Sequence, residues 1–519
     1  MKTMTRIILY TLVGYFSLSF ISCNSLDLYP EDYYGSGNFW QKESQVEGYI
    51  LGLHANLRDS HFLLYQLGEE RGGTQKSGTS FVGTSLDDSS PIKTNQFTKD
   101  ITGVTNWGGL YSNILNVNVL IKNLLDGGDF LTTNKKSYYL AQAYGIRAFY
   151  YFLLYRTYGG LPIIKDPKVT EGIEDVSSLY TERSSAKTTL DFIKEDINES
   201  ETLFTSSGVT TTERCIWSKY ATLMLKAEVY LWSSKVTLED QNANTSDADI
   251  ASRALDEILT KYELLDDFKD VFDYNNKDNN EIIFSLRFKD GESSNKVSYF
   301  LPARGVFVNL FYNRNGKVMG DTLQVRSTGL LRHEYKWDLY ESMDDRDTRK
   351  STTFLDCYFS DGSPAGVILR KFPGIVNSAG NKVYCDDYIV YRCADAILMK
   401  AEIENLKGGD VATYINKIRE RAYGEKYDIL NDTYSNASFA ENELAILKER
   451  DKEFVYEGKR WFDVLRLQDD QKKPLVFSPL ANYGVNLPLL NSSNAHTILW
   501  PIDVNTLNKD PLLVNNPGY

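Results

Sequence analysis

The chain has 519 residues, of which 42% are hydrophobic and 24% charged, a globular composition with enough apolar mass for a large core. Its 57 basic residues stand against 70 acidic ones, and the net charge of -13 opposes any general attraction to the phosphate backbone of nucleic acid. Past the first residues no stretch offers 18 uninterrupted apolar positions, so no later segment is expected to span a bilayer.

Lys2 and Arg6 precede an apolar run from Ile7 to Ile21, which ends in Phe20-Ile21-Ser22-Cys23. A spanning helix wants ~20 apolar residues, and this run is shorter and closes on small residues before a cysteine. Residues 1–22 therefore read as a signal peptide of the lipoprotein type, with Cys23 as the first mature residue and the site of lipidation. Several acyl chains on one cysteine anchor stably, where a single chain does not. An ordinary secretory leader beside a core cysteine is the alternative. Asn24 to Asn38, with Pro30, reads as an extended tether.

Ser44 and Glu47 have capping-box spacing and open a helix with Val46, Tyr49, Ile50, Leu53 and Leu57 on one face. From Gly68 to Asp100 neither helical nor strand period survives, which predicts a long loop of the kind that carries binding. Helical patterns then follow at Leu110 to Leu125, Ser137 to Tyr158, Ser185 to Leu203, Trp217 to Trp232, Ile250 to Lys261, Asp387 to Glu404, Val411 to Ala422 and Ala440 to Arg466. They fall in pairs, with small residues (Ala141, Gly145, Ala148; Ala221, Ala227; Ala394, Ala401) where a partner could insert a large one, the logic of tetratricopeptide hairpins. Between Phe284 and Tyr384 the pattern turns to short strand-like runs with Gly, Pro and aromatics, and Ile498 to Tyr519 reads as coil packed on the body.

Enzyme signatures fail one by one. Gly73 to Gly78 has phosphate-loop spacing, but Thr79 stands where the lysine must be. Ser184 and Lys187 match Ser-x-x-Lys without its partner motifs, and Ser184 reads as a helix cap. Asp273, Asn275, Asn279 and Glu281 approach a calcium loop, but Lys277 and Phe284 occupy ligand positions. His54, His61, His333 and His496 form no pair at metal spacing, so neither metal nor cofactor is expected. Glu453 and Glu457 are interleaved with Phe454, Trp461 and Phe462, which favours a packed ionic network over an acid and base pair. Cys215, Cys357, Cys385 and Cys393 permit three pairings, and Cys393, in a helical pattern, reads as a free core thiol.

Four blocks in order resemble the SusD/RagB family of nutrient-binding outer-membrane lipoproteins. They are Ala148-Phe149-Tyr150-Tyr151-Phe152 through Tyr158-Gly159-Gly160-Leu161-Pro162; Asn280-Glu281-Ile282-Ile283-Phe284; Tyr391-Arg392 through Glu402 with Asn416 to Ala422; and Lys448 to Asp463, followed by Asn515-Asn516-Pro517-Gly518-Tyr519. The resemblance implies a mainly α fold, with tetratricopeptide-like helical hairpins forming a scaffold under a loop-rich layer and a few short strands. It implies one unit over 23–519, with an N-terminal half of about 24–235 and a C-terminal half of about 280–519. It also implies capture of an oligosaccharide for a SusC-like TonB-dependent transporter at the outer membrane; a peptide ligand, or a scaffold without a small ligand, are the rival readings. The two irregular zones supply the candidate contacts: Arg71, Gln75, Phe81, Arg304, Phe311, Tyr312 and Trp337. Each has a packing alternative: Trp337 could be core, and Arg71 could neutralise Glu69 or Glu70.

Overall fold

The computed structural model describes residues 39–86, 90–104, 107–171, 175–324 and 329–519. The signal peptide, Cys23 and the expected tether lie outside the described residues. Among those described, no helix is long and apolar enough to cross a membrane.

Helices dominate: α1 (Glu43–Asp59), α2 (Trp107–Asp126), α3 (Thr133–Tyr158), α4 (Ala186–Ser207), α5 (Lys219–Lys235) and α6 (Asp247–Leu259) come before the irregular layer. A short α7 (Trp337–Glu341) lies within it, and α8 (Cys393–Lys407), α9 (Ala412–Tyr423), α10 (Phe439–Glu453) and α11 (Arg460–Arg466) follow. Neighbours in sequence pack as antiparallel pairs, α2 on α3, α3 on α4 and α5 on α6; α6 meets α8, and α8 meets both α9 and α10. This chain of hairpins is the expected tetratricopeptide-like scaffold.

α3 is its axis. Nearly every residue from Tyr139 to Tyr158 is buried, so the helix is apolar all round rather than along one stripe. Thr132 caps its start by accepting from the Lys135 N–H, and Gly159, at φ 81°, stops it. Gly145 is small because the Trp217 indole fills its place: a Cβ there would lie 2.1 Å from Trp217 Nε1. That indole donates to Thr222 Oγ1 at 2.9 Å, and the Trp217 backbone N–H donates to His54 Nε2 at 2.8 Å, so one residue ties α1, α3 and α5 together.

Three expectations need correction. The first turn of α1 is held by Gln45, whose Oε1 accepts from the Gln41 and Lys42 N–H groups, while Glu47 accepts from Tyr139 OH. The cap of α4 is Ser185, which accepts from the Thr188 N–H; the Ser184 N–H instead pairs with the Leu161 carbonyl. Tyr388–Arg392, expected as helix, is a strand (β6) antiparallel to β1 (Ile282–Leu286), with Ile282 opposite Arg392 and Leu286 opposite Tyr388. Both strands are buried on both faces, so neither shows the alternation that marks a strand in sequence. The other strands are β2 (Phe354–Tyr358) with β3 (Pro364–Leu369), and the two-residue pair β4 (Ile375–Val376) with β5 (Lys382–Val383).

The Glu453 block is the expected ionic network. Fully buried Glu453 accepts from Arg349 at 3.0 Å, from Arg392 at 2.7 Å and from Arg421. Arg392 also bonds Glu281 and Glu457, and Arg349 bonds Asp347 and Glu449. Burial alone would raise the Glu453 pKa, but Arg421, Arg392 and Arg349 outweigh it and hold the carboxyl far below its usual range. All four described cysteines, Cys215, Cys357, Cys385 and Cys393, are free thiols.

Candidate functional site

The irregular layer builds one open ring-bearing face. β2 and β3 form a hairpin whose turn closes through Phe359 N–H to Ser363 O and Gly362 N–H to Phe359 O, with Gly362 at φ 82°. Tyr312 then adds to β2: its N–H and carbonyl exchange bonds of 2.9 Å with those of Tyr358. The chain turns at Gly316 and returns, so that Met319 N–H bonds Phe311 O and Val318 stands opposite Tyr312.

Residues directly opposite in antiparallel pairs share a face, which puts Val318, Tyr312, Tyr358 and Pro364 in one cross-strand row. Their neighbours point the other way: Phe311, Met319 and Cys357 are 4%, 5% and 0% exposed. On the open face Val318 is 43% exposed and both tyrosines are half-buried. Trp337 completes it, half-buried at the start of α7, its ring 5.7 Å from Tyr358 and 5.0 Å from Tyr340.

A polar network holds these rings. Asp356 Oδ2 accepts from Tyr340 OH at 2.8 Å and from Tyr358 OH at 3.1 Å. Arg314 donates to Tyr340 OH at 2.8 Å and to Asp345 at 2.7 Å. Burial first, then the nearby Asp356 carboxylate, raises the Tyr340 pKa; burial also raises that of Tyr358. Both phenols are therefore neutral at physiological pH, able to donate and accept. Arg314 and Lys350 hold Asp345 at about 2, so it is charged throughout.

The face is braced from below by residues 74–81. Lys76 N–H bonds Glu334 O at 2.8 Å and Lys336 N–H bonds Thr74 O at 2.9 Å, on either side of the Gln75–Tyr335 pair. The Glu334 carboxylate accepts from Lys76 Nζ at 3.0 Å and from the Phe81 N–H at 2.9 Å. Buried Glu69 accepts from Tyr335 OH at 2.6 Å and from the N–H groups of Tyr456 and Gly458. Trp337 thus starts from a segment bolted to the core.

The seven candidate residues divide among four settings. Tyr312 and Trp337 come together on the open face. Phe81 and Phe311 meet on the opposite one, ring to ring at 4.9 Å, where Phe81 closes over Gly366 so tightly that a Cβ there would lie 2.5 Å from it. Arg304 is exposed and paired with Asp321 at 3.2 Å. Gln75 is buried beneath the face. Arg71 is fully buried and neutralises neither Glu69 nor Glu70: it stacks at 3.7 Å on Trp461 and donates to Asn95 Oδ1 and Thr497 O. In this position it packs the interior and does not reach solvent.

Sequence reasoning missed Tyr358, Tyr340, Asp356 and Arg314. The signal for the hairpin was present in Asp361-Gly362, a turn dipeptide between an aromatic-rich run and an aliphatic one. What the face offers is apolar rings with oriented hydroxyls and balanced charge, which is equipment for binding a hydroxyl-rich ligand.

A family profile described as "SusD family" matches residues 266–519, and one described as "Starch-binding associating with outer membrane" matches residues 31–231. A SusD superfamily protein of Bacteroides fragilis has a solved structure similar to this chain, with 40% identity and a TM-score of 0.87, over 93% of this chain and 100% of that one. SusD-like protein P25 of Formosa agariphila is 25% identical over 82% of this chain and 83% of its own length. Surface glycan-binding protein A of Bacteroides thetaiotaomicron, solved in complex with laminarihexaose, shares the fold at 18% identity, with a TM-score of 0.67 over 92% of this chain and 99% of that one.

Proposed function

The chain belongs to the SusD family, and from that premise we propose that it is a lipid-anchored receptor at the cell exterior. It captures oligosaccharide or polysaccharide fragments and passes them to a SusC-like TonB-dependent transporter, without catalysis. The observation that carries the reading is the cross-strand Tyr312 and Tyr358 row with Trp337 beside it. Sugar rings present flat C–H faces that pack on aromatic rings, and their hydroxyls pair with the polar groups that reach solvent beside the rings, Arg314 and Asp345. The site is a surface rather than a deep pocket, suited to a ligand that must be released to a partner. Attachment through Cys23 supports the same reading, because a receptor tethered by lipid stays beside an outer-membrane transporter.

The test is calorimetry with neutral oligosaccharides and with peptides, on wild type, Trp337→Ala and Tyr358→Ala. Each ring is worth ~1 kcal/mol or more in stacking, so each variant is expected to lose at least about fivefold in glycan affinity with the fold intact. Peptide binding with no glycan binding, or glycan binding indifferent to both substitutions, would overturn the proposal.

A further inference from the structure

α1 bears a trough on its outward side, a cleft of about 710 Å³ bounded by Phe39, by Gln45, Tyr49 and Asn56 of α1 and by Asn116 of α2. Its floor is bare helix. Gly48 and Gly52, four apart and so on one face, are exposed, and a Cβ on either would meet nothing within 4 Å. Glycine inside a helix is less stable than alanine, so two of them one turn apart on an open face give up stability and leave a channel. Leu51 stands at its edge, 57% exposed. The carboxamides of Asn56 and Asn116 both donate and accept, which is what the backbone of an extended peptide requires.

The chain itself arrives here. Phe39 lines the trough, its ring packing against Trp40 at 4.8 Å and Tyr49 at 6.2 Å. Trp40 is held at φ 68°, which a bulky residue adopts only where its surroundings impose it, so the direction of approach to Phe39 is set. Residues 24–38 separate Phe39 from Cys23, and their sequence is not that of a solvated linker. Leu26, Leu28, Tyr29, Tyr33 and Tyr34 are apolar or aromatic, and Gly35-Ser36-Gly37 is turn chemistry placed to reverse the chain just before Phe39. The family profile that reaches this end of the chain begins at residue 31. We infer that the trough is the dock for the chain's own segment 31–38, with Tyr33 and Tyr34 laid over Gly48 and Gly52. From Gln45 to Asn56 is about 16 Å at helix rise, which about five extended residues cover. A surface that narrow falls short of the ~800 Å² that each partner of a stable dimer buries.

The consequence is for the anchor. Only residues 24–30 remain as tether, roughly 23 Å when extended where all of 24–38 would reach roughly 50 Å, so a lipid on Cys23 keeps the α1 and α2 side of the receptor close to the membrane. This last step rests on the proposed lipidation; the docking does not.

The experiment uses the mature chain with Cys23→Ser, which carries no lipid, and follows cleavage by a glutamyl endopeptidase at Glu31 by mass spectrometry, together with the melting temperature. The variants are Gly48→Arg with Gly52→Arg, which fills the trough, and Tyr33→Ala with Tyr34→Ala, which removes the rings. Both are expected to speed cleavage at Glu31 at least about tenfold over wild type while glycan affinity stays unchanged. The arginine pair is expected to lower the melting temperature, although arginine is the better helix former. Cleavage at Glu31 as fast in the wild type as in both variants, with a melting temperature raised by the arginines, overturns the docking. So does a wild-type dimer that the arginines dissociate, which makes a second copy the occupant, or loss of glycan binding in the arginine variant, which makes the trough a ligand site. Slow cleavage in a wild type that binds no glycan upholds the docking and overturns the proposed function alone.

Discussion

Two regions of this protein use the same pair of groups, arginine and carboxylate, to opposite ends. Around Glu453 the guanidinium groups of Arg349, Arg392 and Arg421 are dry and each charge has several partners. Around Arg314 the side chain is 50% exposed, and its partners Asp345 and Asp356 are wet as well. In the interior such a network is costly to desolvate and pays only when complete, so it makes the register of α9, α10 and β6 all-or-none. At the surface water screens the charges, and what remains is geometry: Arg314 and Asp356 aim two phenols. The same chemistry locks the scaffold and tunes the site.

The largest expected effect lies in the interior. Glu453→Gln leaves three buried guanidinium groups short of one charge, and breaking a buried ion pair from one side costs about 3–5 kcal/mol. Urea unfolding should show the midpoint lowered with an unchanged slope. A loss below about 1 kcal/mol would mean that the network does not lock the scaffold.

Next comes the dependence of stability on pH, which separates acids held charged from acids held neutral. Arg466 and Lys235 offset the burial of Glu402, and Lys452, Arg349 and Arg419 that of Glu449, bringing both to about 2 from 4.5. Their contribution is complete above pH 4.5 and is lost as pH falls toward 2. Glu69 and Asp386 are moved the other way, mainly by burial, to about 7 from 4.5 and to about 6 from 3.8. Their contribution is complete below the unfolded values, 4.5 and 3.8, and is lost as pH rises through 7 and 6. For these four acids together, stability should therefore peak near about pH 4.5 and fall on both sides. A tenfold change in proton affinity is worth about 1.4 kcal/mol, so Glu69 alone accounts for a few kcal/mol of the alkaline decline. Glu69→Gln should flatten that limb in thermal melts taken from about pH 5 to 8 and leave the acid limb in place; an unchanged alkaline limb would contradict the assignment.

The contrast also explains what could be read in advance. Most helices of the scaffold announce themselves because they write a period over ten or more residues, α3, buried all round, does so by its unbroken length, and Gly145 with Trp217 follows from the rule that a small residue receives a large one. Tyr388–Arg392 reads falsely as helix because a strand buried on both faces has no alternation to show. The open face was half legible. Tyr312 and Trp337 stood out as aromatics in irregular sequence, but which face each ring takes depends on pairing between residues far apart in the chain, Tyr312 with Tyr358 and Gln75 with Tyr335. A shift of one residue exchanges the faces, and this is why Phe311 and Tyr312, adjacent in sequence, end on opposite sides.

The smallest effect on stability should accompany a large one on binding. Arg314→Ala removes an ion pair that is half in water, worth about 1 kcal/mol or less, so the unfolding midpoint should barely move. Yet the hydroxyls of Tyr340 and Tyr358 both lose the donor that Arg314 supplies, and Asp356 alone then holds the two phenols. Glycan affinity should fall several-fold, while Arg314→Lys, which keeps the charge but not the planar fork, should recover only part of it. Equal binding by the alanine variant and the wild type would show that the surface network is solvated charge and nothing more, and the distinction between lock and aim would fail.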